Sequence, residues 1–197
     1  MISVFDLEER VFEYLEKMFD GDQTQFGFGS AASSCFFVDR QTNAPRLAAS
    51  TLMYYRVNAP EKVGNVFSDR PYINPTTGIE SVDIHRRVRV TLNVLSTMKG
   101  RAKDALSYLE MANQSTRHYE AAYNTGNFNF PMYDFGKPIN LSLIETGTWV
   151  ERIENDVFFN YTDTISFTSP HSLITAPSSI AATKDKIDVA INMKDRG

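Results

Sequence analysis

Three histidines, one cysteine and the carboxylates are the residues of this chain that can bind a metal or attack a bond, and their spacing argues against both. His85, His118 and His171 lie in separate segments with no HExxH or other paired spacing, so no local element presents two imidazoles to one ion. Cys35 stands in an apolar run between Ser34 and Phe36, with no charge beside it to lower its pKa, and reads as a small buried packing residue. A lone cysteine also excludes an intramolecular disulfide and a cysteine-based zinc site. Gly27, Gly29 and Ser30 are spaced like part of a phosphate loop, but no third glycine and no Gly-Lys-Ser/Thr follows. Asp134-Phe135-Gly136 repeats the magnesium-binding tripeptide of protein kinases without that site's glycine-rich loop, strand lysine or catalytic loop. Asp20 and Asp22 lack the remaining ligands of a calcium loop. These spacings therefore single out no catalytic residue, no metal site and no cofactor site.

The most concentrated charge is basic: Arg86, Arg87 and Arg89. They open the stretch HRRVRVTLNVLS, where Val88, Val90, Leu92 and Val94 alternate with Arg87, Arg89, Thr91 and Asn93. That period of two predicts a strand with one face in a core and the other in water or against a partner. Arg87 and Arg89 share the polar face, whereas Arg86 points with the valines. The arginines can contact phosphate or pair with Glu151, Glu154 or Asp156 across strands or subunits. From Thr97 onward the period becomes helical, through Met98, Ala102, Ala105, Leu106, Leu109 and Ala112, with Thr97 as the expected cap and an end between Asn113 and Tyr123.

The elements that position this unit follow from pattern. Ser3 to Phe19 carries an apolar helical stripe, with Ser3 and Asp6 as a loose capping box and Gly21 just past the end. Cys35 to Val38 is a short strand, and Thr51 to Val57 a central one, apolar on both faces apart from Arg56. Residues 59–80 are punctuated by prolines and glycines and read as an arm or a mobile loop. Phe128, Phe130, Met132, Tyr133 and Phe135 are too apolar for a free loop and should cover a sheet edge or an interface. Ile139 to Ile144 and Trp149 to Tyr161 form a hairpin across Glu145-Thr146-Gly147-Thr148, with Ile165 and Phe167 continuing the second strand. Arg152, Glu154 and Asp156 line its polar face, and Glu151 and Asn155 interrupt the apolar one. Thr168 to Thr183 is a linker rich in Ser, Thr, Pro and Ala. Lys186 to Met193 then alternates again, with Ile187, Val189 and Ile191 on one side, as a strand that pairs with its own sheet edge or another subunit's.

Length and composition set the frame. The 197 residues, 42% apolar and 22% charged, suit one soluble domain with arms. The net charge of -4 does not favour a general nucleic-acid binder. No basic segment followed by an apolar run opens the chain and no run of 18 or more apolar residues occurs, so cytoplasmic synthesis and no membrane association are expected.

The order of these elements, and above all RRVRVTLNVLS with its following helix and INLSLIETGTWVERIENDVFFNY, resembles the phage neck or tail terminator proteins, also called tail completion proteins. The resemblance implies an α/β (α+β) fold in which two main helices pack on a mostly antiparallel sheet, with an extended arm and a C-terminal strand. Residues 1–167 then form the domain, including the arm at 59–80, and 168–197 the linker and last strand. It further implies a structural virion protein of the neck that is not an enzyme, a homo-oligomer in a hexameric ring. That ring caps the tail tube protein, meets the head-side connector or stopper proteins, and lets genomic DNA pass without sequence-specific binding. The expected subunit-interface residues are Arg86, Arg87, Arg89, Glu151, Arg152, Glu154, Ile187, Val189 and Ile191. Another connector protein, a tail tube subunit or, from a different class, a small-ligand enzyme with an aromatic pocket near Phe128 to Phe135 are the competing readings.

Overall fold

The apolar stripe at the start of the chain becomes helix α1, Val4–Phe19, in the computed structural model, which describes residues 2–31, 35–39, 50–64, 71–73, 78–145 and 148–167. Both halves of the capping box form: the Ser3 hydroxyl accepts from the Asp6 amide at 3.1 Å, and the Asp6 carboxylate accepts from the Ser3 amide at 2.7 Å. Leu7, Val11, Tyr14, Leu15, Met18 and Phe19 are buried along one side of the helix. Phe5, Glu9 and Glu16 lie on the opposite side and are exposed.

The described residues fall into two compact units, one made of those within 1–69 and 83–164, the other of those within 70–82 and 165–167. The strands are β1 (Phe36–Val38), β2 (Thr51–Val57), β3 (Glu61–Lys62), β4 (Tyr72–Ile73), β5 (Glu80–Ser96), β6 (Met132–Phe135), β7 (Ile139–Asn140), β8 (Leu143–Glu145) and β9 (Thr148–Phe167). Their order is β1-β2-β5-β9-β6, with β3 on β5 and with β7 and β8 on β9. β1 runs parallel to β2, while β2 on β5 and β6, β7 and β8 on β9 are antiparallel. Side-chain bonds from Asp83, His85, Thr91 and Asn93 reach Thr164, Thr162, Asp156 and Glu154 in turn, so β9 descends as β5 ascends. The sheet is thus mixed and mostly antiparallel. In the smaller unit, β4 pairs Tyr72 with Ser81 and Ile73 with Glu80, and the Ser81 and Ser166 hydroxyls are 3.1 Å apart.

One face of the sheet in the larger unit takes the helices. Val88, Val90, Leu92 and Val94 of β5 and Ile153, Val157, Phe159 and Tyr161 of β9 join the buried side of α1 in one core. Tyr14 meets Phe159 edge-on at 5.0 Å, and Phe130 stacks flat on Phe159 at 4.4 Å. Phe19 is the hub of a second aromatic group, within 5.3–5.7 Å of Phe26, Phe28, Phe36 and Tyr108. The glycine-flanked Phe28 is therefore a core side chain, preceded by the tight turn Gln23–Phe26. Of the expected aromatic pocket, Phe130 and Met132 are buried in the core and Tyr133 points outward.

The second helix differs from expectation in its start. β5 runs to Ser96, a turn follows, and α2 is Arg101–Ala112 with Gly100, at φ +87°, as its N-cap. Thr97 makes no cap; its hydroxyl donates to the Ser50 carbonyl at 3.4 Å, and Met98 is exposed. The orphan first-turn donor is met from outside the helix: the Ala102 amide donates to the Glu151 carboxylate of β9 at 2.9 Å. After Ala112 come a short α3, Thr116–Tyr119, and a wide turn, Glu120–Asn124.

Arg10 ties that turn to α1. Its side chain is 2% exposed, and Nη2 donates to the carbonyls of Ala121 and Ala122 while Nε donates to that of Phe128 at 3.2 Å. Its guanidinium also lies 3.6 Å from the Glu13 carboxylate and over the Phe130 ring. Helix-end carbonyls buried without water need such a donor. Gly126, at φ +73°, lets the chain pass here, because a Cβ would collide with Glu13 and Arg10.

Two outcomes follow for stability. Arg10→Met leaves the buried Ala121 and Ala122 carbonyls and the half-buried Phe128 carbonyl without this donor and should cost about 3 kcal/mol in urea unfolding, with an unchanged m-value. The Tyr14 hydroxyl sits 2.7 Å from His118 Nδ1, and burial lowers the His118 pKa. The unfolded chain takes up that proton below about pH 6.5 while the folded one resists it, so stability falls as the pH drops from there towards the depressed folded value. Unfolding midpoints at pH 7.5, 6.5 and 5.5 should decline more steeply in the native chain than in His118→Gln.

Candidate interaction face of the sheet

Alternation sends every second side chain of β5 and β9 away from the helices. On β5 these are Asp83, His85, Arg87, Arg89, Thr91 and Asn93, and on β9 Arg152, Glu154, Asp156, Phe158, Thr162 and Thr164. No helix among the described residues packs on this side. Arg87 and Arg89 are exposed, whereas Thr91 and Asn93 are buried beneath their neighbours.

The polar side chains form short chains of contacts. Thr91 donates to Asp156 at 2.7 Å, and the other Asp156 oxygen lies 3.9 Å from the Arg89 guanidinium. Asn93 joins the next two β9 residues of that face, accepting from Arg152 Nε at 3.0 Å and donating to Glu154 at 3.3 Å. Arg87 lies over the Tyr133 ring of β6, 4.8 Å from its centroid. Burial raises the Tyr133 pKa, and the adjacent Arg87 charge pulls it back. Beside these arginines opens a cleft of about 380 Å³, lined by Asn58, Ala59, Glu61, Arg87, Arg89 and Phe158. Asn58, just past β2, fixes its wall by donating to the Arg89 carbonyl at 3.0 Å.

The sequence-derived residues divide by face. Arg87, Arg89, Arg152 and Glu154 share the outer face. Arg86 points inward with the valines, as its register demands, and its Nε is 3.3 Å from the buried Asp163 carboxylate. Asp163 also accepts from the Ile2 amide at 3.1 Å. Glu151 is 6% exposed and spends its carboxylate on α2. Ile187, Val189 and Ile191 lie outside the described residues. Sequence reading named Tyr133 among the aromatics expected at a sheet edge or an interface but passed over Phe158, although Phe158-Phe159 carried a signal: adjacent aromatics in a strand must point to opposite faces. Glu61 joins the cleft through its β3 pairing with Arg87, and Asn58 through its bonds to the Arg89 carbonyl, neither of which any local pattern announces.

Planar guanidiniums, carboxylates and amides at strand spacing suit a polar partner. Among the described residues no group of three His, Cys, Asp or Glu could hold a metal ion, and His85 and His118 serve separate contacts, with Thr162 and Tyr14. No helix there is long and apolar enough to cross a membrane.

Residues 6–188 match a family model described as phage neck terminator protein. No curated protein matches the chain.

The inward and outward carboxylates of β9 should separate experimentally. Glu151→Ala removes the cap of α2 and should lower stability by about 1–2 kcal/mol in denaturant titration. Glu154→Ala, three residues on and on the outer face, should stay within about 0.5 kcal/mol of the native chain.

Proposed function

We propose, from the premise that the chain belongs to the phage neck terminator protein family, that it closes into a ring at the end of the tail tube and joins the tube to the head-side connector. The family makes it a structural component of the bacteriophage neck. The ring, taken as hexameric, is supported by one feature above others: a sheet with helices on one face and, on the other, Arg87, Arg89, Arg152 and Glu154 set out for a neighbour. A closed ring needs two different surfaces on each subunit, and a sheet with unlike faces supplies them. Genomic DNA passes through the lumen without sequence-specific contact, in keeping with the net charge of -4.

Arg86 and Glu151 enter this interface indirectly, by fixing the strand and the helix next to it. Ile187, Val189 and Ile191 contribute an edge strand that pairs with the adjoining subunit, carried on the segment from Thr168 to Thr183. An antiparallel sheet with exposed edges accepts such a strand through main-chain hydrogen bonds.

Electron microscopy of the purified chain mixed with tail tubes tests both statements. Rings seated on tube ends, and tubes that stop growing, are the expected result. Long tubes of the chain alone, or bare tube ends, would overturn it. A chain ending at Thr183 should keep its unfolding midpoint and lose ring formation.

A further inference from the structure

The solvent side of α1 is not merely polar. Phe5, Glu9 and Glu16 recur at helical spacing directly opposite the buried stripe, along about 16 Å of helix. Phe5 is 65% exposed in the first turn, an unusual position for a large aromatic with no neighbour to cover it. The helix packs against the core face of the sheet through Tyr14 on Phe159 and through the Tyr55 hydroxyl, which donates to the Glu8 carbonyl at 3.1 Å. The ridge therefore faces away from the sheet on one side, and the cleft of Arg87 and Arg89 opens on the other.

We propose that the ridge of Phe5, Glu9 and Glu16 on one copy of this chain docks into the Arg87/Arg89 cleft of the next copy. The inference rests on the ring reading above and names the two surfaces it requires. The occupant follows from complementarity. The cleft sets the Arg87 and Arg89 guanidiniums beside Phe158 and Ala59, with Asn58 and the Glu61 carboxylate completing its lining, in about 380 Å³, room for one phenyl ring. A ring inserted there gains both cation–π contact and apolar burial. Glu9, one helical turn further along the same ridge, then reaches an arginine. Arg89 has spare donor capacity for it, since its contact to Asp156 is long, 3.9 Å. Because ridge and cleft lie on opposite sides of the molecule, each contact leaves one of each free, so the association is head-to-tail and closes only by rotation.

Charge reversal tests this in the full chain. Glu9→Lys with Glu16→Lys sets lysines against arginines, and Arg87→Glu with Arg89→Glu sets acids against acids. Each variant alone should self-associate at least about 100-fold more weakly by sedimentation, with an unfolding midpoint near that of the native chain. Mixed in equal amounts they should assemble again, since both contacts are then complementary, and native mass spectrometry should find the two chains in equal number in every particle. A Phe5→Cys, Ala59→Cys chain traps weak association: under oxidant it should give a ladder of disulfide-linked oligomers. Variants that assemble like the native chain, a mixture that stays apart, or the absence of a ladder would overturn the contact. If tube ends are still capped in that case, the ring stands and a different pair of surfaces builds it. If they are not, the proposed function itself falls.

Discussion

The antiparallel pairing of β5 with β9 is the constraint on which the molecule depends. These strands, 17 and 20 residues long, carry nearly every other strand at their margins. Register between two alternating strands is nearly all-or-none: a slip by one residue would send the valines of β5 into water and Arg87 and Arg89 into the core. The outer side chains reinforce the same alignment, because Asp83, His85, Thr91 and Asn93 each find a β9 partner at the matching position. A single register thus sets the core on one side and the polar, arginine-bearing face on the other.

Charge is distributed according to that division. Inside, Arg10, Glu151 and Asp163 are buried, and each serves main-chain groups that the fold would otherwise strand: the wide turn at Glu120–Asn124, the start of α2 and the Ile2 amide. Such groups bind segments distant in sequence, and their desolvation is offset only while every partner is in place. Outside, Arg87 and Arg89 engage an aromatic face and a distant carboxylate, contacts weak enough in water to be exchanged. The division separates charges that hold the fold from charges that remain available to a second molecule.

Much of this was legible in the chain. Strict alternation in RRVRVTLNVLS marked the central strand and which arginine turns inward, and the capping box gave the start of α1. The Glu145–Thr148 turn set the hairpin. What escaped was the work of residues acting at long range. Thr97 reads as a cap because its hydroxyl is the local candidate, yet the strand runs on and Gly100 occupies the left-handed corner, so the cap comes from Glu151, 49 residues away from Ala102. Arg10 looks like one more solvated residue on an acidic helix until the turn after α3 folds against it. The cleft escaped for the same reason: Asn58, Arg89 and Phe158 share no stretch of sequence, only a place on the sheet.

The tip of the hairpin has a further consequence. Ile144 and Trp149 face each other across β8 and β9, and Trp149, 37% exposed, is the one tryptophan in the chain. The aromatic core is built of phenylalanine and tyrosine, so the molecule's single indole chromophore lies outside it, at the end of a ribbon. Its emission reports the environment of that ribbon tip, an optical window onto the end of the hairpin rather than onto the packing of the core, and it needs no label.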